Sequence, residues 1–238
     1  MKREYTFTGI LILIVVIVLL VRVNINGSVS VARAQTGWII NEFLADPAGD
    51  LTGDANGDGT RDSSKDEFVE IVNDTGAGVD IGGWTLADSV RVRHTFPAGT
   101  IVPDGHAIVV FGGGTPTGAF GGSIVQIALT GAVGLNNSGD TITLADDTSS
   151  TMATCTYGSE GGNDQSLTRD PDITGSFVSH STATGSGGAL FSPGTKIDGT
   201  FFTAANLAIF KDVIPTTNVA YHGLVTYTVT INILPETL

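Results

Sequence analysis

From residue 36 onward the chain never holds a helical period for three turns, and what recurs is a short alternating apolar run. Residues 38–44, 67–72, 84–86, 106–111, 124–129, 141–144 and 152–157 each read as a strand, rich in Val, Ile, Thr and aromatic side chains. Gly, Pro, Asp and Asn clusters separate them, among them Gly82-Gly83, Pro103-Asp104-Gly105 and Asn136-Asn137-Ser138-Gly139-Asp140. Strands at this spacing predict an all-β, antiparallel sandwich. Residues 183–205, rich in Ser, Thr and Gly, read as a linker or irregular extension.

The N-terminus has a different character. Lys2 and Arg3 precede an apolar run over residues 10–21, and Ala32-Arg33-Ala34 offers small residues for cleavage. A bilayer needs about 20 apolar residues, so residues 1–34 fit an exported signal helix better than a spanning one. The expected location is secreted or on a cell surface, with membrane contact only through an uncleaved leader. Removing these residues takes away four bases and one acid, which turns a net charge of −13 into −16, with 23 acids against 7 bases. That surplus argues against nucleic acid as a partner, since phosphate neutralisation requires Lys and Arg. Cys155 is the only cysteine, which excludes internal disulfides and cysteine-based zinc clusters.

Several ordered motifs resemble a known family. Ile40-Asn41-Glu42-Phe43, Asp66-Glu67-Phe68-Val69-Glu70-Ile71-Val72-Asn73 and Ile81-Gly82-Gly83-Trp84-Thr85-Leu86 look like a bacterial lamin-tail domain. Phe96-Pro97-Ala98-Gly99-Thr100, Ile101-Val102-Pro103-Asp104-Gly105 and Gln165-Ser166-Leu167-Thr168-Arg169-Asp170-Pro171-Asp172 continue the match, which spans residues 36–182. The resemblance implies an immunoglobulin-like β-sandwich serving as an accessory module of surface or secreted proteins. It implies no activity. Residues 206–238 are similar to the opening of an Ig-like repeat of bacterial surface proteins, in Asn206-Leu207-Ala208-Ile209-Phe210-Lys211-Asp212 and the alternating run over residues 224–232. That span is a partial repeat, since such a sandwich needs about 100 residues. Leu234-Pro235-Glu236-Thr237-Leu238 comes close to a sortase signal but has Leu where Gly is required.

Chemistry concentrates in one acidic stretch. Ten acids fall between Glu42 and Asp74, and nine of them recur every four residues. Pro47, Gly49, Gly53, Gly57 and Gly59 rule out a helix there, leaving a loop between strands. Inside it, Asp54, Asn56, Asp58 and Asp62 hold positions 1, 3, 5 and 9 of an EF-hand-like loop, Gly59 position 6, and Thr60 the backbone-carbonyl position. Such spacing converges oxygen ligands on a hard cation, so the loop is a candidate structural calcium site. Position 12 is Lys65, so Asp66 or Glu67 would have to supply the closing carboxylate, with Asp46 or Asp50 able to reach in from the entry strand. The alternative is a solvated acidic loop.

Other groups point to structure. His94, His106, His180 and His222 are scattered, with His94 expected at a surface or edge. Trp38 and Trp84 are expected in the core, and Cys155 as a buried, inert thiol. Glu42 and Glu70 could pair for hydrolysis, but nothing else in the sequence builds a cleft around them. No catalytic residue is assigned. The leading expectation is a non-catalytic surface or adhesion module whose partner is an extracellular or cell-surface protein or polysaccharide. A carbohydrate-binding module using Trp84 or Tyr157 and the targeting region of a larger secreted hydrolase are the alternatives; exposed aromatics would favour the former and buried ones remove it.

Overall fold

The computed structural model describes residues 37–202 and two further strand segments, 207–209 and 231–233. The leader over residues 1–34 lies outside the described residues, as does most of the span 206–238. Among the described residues the only helical turns are four three-residue 3₁₀ turns, and no helix is long and apolar enough to cross a membrane.

Two sheets face each other. The larger is built on β1 (Gly37–Leu44), β2 (Phe68–Asp74) and β7 (Ala107–Phe111), with β2 antiparallel to both β1 and β7. On one side it continues through β8 (Ile124–Ile127), which runs parallel to β7. On the other it continues through β11 (Leu167–Asp170) and β12 (Ser176–Ser179), giving the order β12-β11-β1-β2-β7-β8. The smaller sheet has the order β10-β9-β4-β5, from β4 (Thr85–Ala87), β5 (Val92–Thr95), β9 (Asp140–Ala145) and β10 (Thr151–Tyr157). β3 (Val79–Asp80) and β6 (Ile101–Val102) form a two-stranded ribbon. β13 (Leu207–Ile209) pairs antiparallel with β14 (Ile231–Ile233).

Alternation in the sequence becomes the two faces of β2. Val69 and Ile71 point into the main core with Ile40, Phe43, Ile108 and Val110, against Leu86, Ile142, Leu144 and Tyr157 of the smaller sheet. Trp38 and Trp84 meet there edge to face at 5.2 Å, and both are buried. Phe68, Glu70 and Val72 point the other way, and that outer face is covered as well. Phe68, Val109 and Phe111 pack beneath Ala55, Phe120 and Phe191, while Val72 and Ala107 pack beneath Phe202. The cover comes in part from the stretch read as a linker. Residues 183–202 form a strap on the outer face, with Ala183, Ile197 and Phe202 buried. Few apolar side chains hold it, which is why its composition resembles a spacer.

Candidate functional site

The loop between β1 and β2 is tightly built. A 3₁₀ turn at Leu51–Gly53 is capped by Asp50, whose Oδ1 accepts from Thr52 N at 2.9 Å. Arg61 Nε donates to Ala48 O at 2.6 Å and pins the loop to its own entry. Asn56 Oδ1 then accepts from Asp58 N, and Asp58 Oδ1 from Thr60 N, both at 2.9 Å, while Asp54 Oδ2 accepts from Gly59 N at 2.8 Å. These side-chain-to-backbone bonds wind the segment so that positions 1, 3 and 5 lie within one turn. Asp66 closes it: its Oδ1 accepts from Asn56 N at 3.1 Å and its Oδ2 from Asp62 N at 2.6 Å. The segment after β7 packs alongside, with Asn56 Nδ2 donating to Gly113 O at 3.2 Å and Thr115 N to Asp58 Oδ2 at 3.1 Å. Gly114, at φ +77°, permits this approach, since a Cβ there would collide with Asn56 and Asp58.

Of the six residues expected to ligate, Asp54, Asn56, Asp58 and Asp66 are brought together, and Thr60 lies in the same turn. Asp62 is not in the set. Its Oδ1 accepts from Ser64 N at 3.0 Å and Lys65 N at 3.1 Å, and its Oδ2 pairs with Lys65 Nζ at 3.3 Å, so it caps the next turn. Those backbone donors hold its carboxyl below the usual range. Asp46 is engaged by Asn137 at 2.6 Å, and Glu67 turns to the opposite side of the sheet. Burial pushes the Asp66 carboxyl up, and the Asp54 and Asp58 carboxylates push it further in the same direction. Asp54 Oδ1 is shielded from solvent and has no hydrogen-bond partner. As the side chains stand, no three His, Cys, Asp or Glu among the described residues are placed to hold a metal ion. The loop's donors are three carboxylates, one amide and backbone carbonyls, a hard-oxygen set suited to Ca²⁺ and unsuited to zinc.

A second polar cluster lies beneath the strap. Glu42 and Glu70 are cross-strand partners on β1 and β2, and neither is exposed. Glu42 accepts from Ser166 Oγ at 2.6 Å, Ser192 N at 2.8 Å and Ser192 Oγ at 2.7 Å. Glu70 accepts from Asn41 Nδ2 at 2.9 Å and Gly194 N at 2.7 Å. Burial pushes both carboxyls up, and the Glu42 charge raises Glu70 further. His180, also buried, donates from Nδ1 to Ala189 O at 2.9 Å and lies 4.0 Å from Glu42. Each carboxylate is committed to strap or strand donors, and both are fully buried. Their arrangement anchors the strap.

The remaining groups confirm some expectations and correct one. Cys155 is buried, and burial pushes its thiol up to about 11. Trp84 and Tyr157 are both buried, which removes the aromatic platform a sugar would stack on. His94 lies on β5, the edge strand of the smaller sheet, but is not at the surface: it is 2% exposed, stacks edge to face on Phe96 and bonds Gln126 Oε1 at 2.7 Å. Its neighbours Arg93 and Thr95 hid the inward position in an otherwise polar strand.

The motif-bearing strands β1, β2, β4 and β7 thus lie in one sandwich, and the family model of the lamin tail domain matches residues 32–159. The chain belongs to the lamin tail domain family. Its immunoglobulin-like fold is that of the family, whose domain is generally non-catalytic. No curated protein matches the chain significantly. In this lamin tail domain the sandwich extends past the matched residues, because β11 pairs with β1 and carries β12 beside it.

Proposed function

We propose that this lamin tail domain is a non-catalytic module of a bacterial surface or secreted protein, ordered by calcium at its acidic loop and engaging an extracellular protein. The observation that carries the calcium reading is Asp54 Oδ1, shielded and without a partner beside buried Asp66. A cation there would satisfy that oxygen and offset the repulsion that raises Asp66. Asp54, Asn56, Asp58 and Asp66 would supply side-chain oxygens, with the Thr60 carbonyl completing the set after small side-chain rotations. The role is structural, because ligand binding to the folded state stabilises it. Export is supported by the charged and apolar leader pattern of residues 1–34. A non-catalytic role is supported by the full burial of Glu42 and Glu70, whose oxygens are taken up by strap and strand donors.

Calorimetric titration tests the reading. One Ca²⁺ should bind per chain, with a dissociation constant on the order of 10⁻⁴–10⁻³ M. Asp54→Asn should weaken it about tenfold or more while Asp62→Asn leaves it close to wild type. Absence of binding at millimolar calcium would overturn it.

A further inference from the structure

The two layers of the sandwich differ in width. β10 lies over β1, as the 4.6 Å contact between the Phe43 and Tyr157 rings shows. The larger sheet then continues through β11 and β12, whereas the smaller sheet stops at β10. Two strands therefore project past the free edge of β10 as a shelf. Arg169 and Phe177 occupy the shelf face next to Leu167, and both are half-buried. Arg169 reaches Ile40 O at 2.8 Å and Gly175 O at 2.7 Å and lies 4.4 Å from the Phe177 ring centre, and it meets no carboxylate among the described residues.

The edge above this shelf carries one bulge near its start but no charged or proline protection. Among the described residues β10 pairs only with β9, on one side, and it reads Thr151-Met152-Ala153-Thr154-Cys155-Thr156-Tyr157, with no charge and no proline. Sheet edges that must stay unpaired carry lysine, proline or short strands. The edges of β5 and β8, by contrast, meet through Thr130 N and Arg93 O at 3.3 Å and through His94 and Gln126. One bulge bends β10 between Thr151 and Ala153, which leaves Thr154 to Tyr157 in regular register with Thr143 to Asp140. Among the described residues, an uncovered strand edge and a cation without a carboxylate partner coincide in one place.

We infer that β10 and the β11–β12 shelf form a strand-addition site for an extended peptide of another protein, one that carries a carboxylate facing Arg169. The added strand would take backbone hydrogen bonds from β10 and turn alternate side chains onto Phe177 and Arg169. A second copy of this chain does not fit. Two-fold pairing of β10 with itself would drive both β11–β12 shelves into the same space.

The probe is a synthetic peptide, Thr-Val-Thr-Asp-Thr-Val-Thr, compared with its counterpart bearing Lys in place of Asp. Binding to the full chain is followed by amide chemical shifts and hydrogen exchange. The Asp peptide should perturb and protect residues 151–157, with a preference over the Lys peptide on the order of fivefold. Arg169→Gln should abolish that preference and Arg169→Lys retain it, a ratio that a general loss of stability would not produce. Failure of either peptide to affect β10, a preference that persists in Arg169→Gln, or concentration-dependent pairing of β10 without peptide would overturn the inference.

Discussion

Glu42 and Glu70 stand directly opposite one another across β1 and β2, and neither reaches solvent. Two ionised carboxylates in that position would repel in a medium that screens poorly, and burial together with the Glu42 charge pushes the Glu70 carboxyl up. The strap answers the remaining charge with backbone and hydroxyl donors from Ser192 and Gly194. A polar strap is thereby fastened over a sheet face that would otherwise be open.

Stability should fall as pH rises through neutrality. Glu67, Glu42 and Glu70 have folded values raised above their unfolded ones, first by burial, with Glu67 pushed up to about 7. Their contribution is complete below the unfolded carboxylate value near 4.3 and is lost as pH climbs through the folded value. Asp62 and Asp88 are lowered and act in the opposite sense, losing stability as pH falls through their folded values. Melting temperature should therefore peak near pH 5 and decline toward pH 8. Glu67→Gln should match wild type at pH 5 and exceed it at pH 8 by roughly 2 kcal/mol, measured by denaturant titration at both pH values.

Ending the chain at residue 159, where the family match stops, should prevent stable folding. That cut removes β11, β12 and the strap, and exposes Glu42 and Glu70 with the Ser166, Ser192 and Gly194 donors gone. Circular dichroism and proteolysis of that fragment, set against a chain ending at residue 202, check this. A cooperative melt from the shorter fragment would contradict it.

Phe43 fills the centre of the core between the rings of Tyr157 and Phe177, 4.6 and 5.3 Å away. Phe43→Ala should cost about 3–5 kcal/mol, read as a shift of the denaturant midpoint.

Cys155 should be silent toward thiol reagents in the native protein at pH 8. With its thiol pushed up to about 11, only about one molecule in a thousand carries the reactive thiolate. Denaturant should release one equivalent.

The main strands were legible because their burial is apolar and periodic: residues 38–44 became β1 and residues 152–157 became most of β10. β5 was not, since Val92-Arg93-His94-Thr95 turns a histidine inward and shows no apolar alternation. The strap escaped notice for a related reason. Its attachment rests on Ser192 and Gly194 meeting buried carboxylates, and that cannot be seen without knowing that Glu42 and Glu70 face each other. In the acidic loop the spacing of Asp54, Asn56 and Asp58 was informative. Asp62 holds the loop's ninth position in the sequence, but its carboxylate accepts from the Ser64 amide and pairs with Lys65, contacts that the spacing alone does not reveal.

Calcium ordering of the loop is the central claim, and thermal melting with calcium against chelator tests it most directly. At about 10 mM calcium, a site of 10⁻⁴–10⁻³ M should add roughly 1.4–2.7 kcal/mol, raising the midpoint by about 3–10 °C. Asp66→Asn should lose that increment. A wild-type midpoint that is the same in calcium and in chelator would contradict the account.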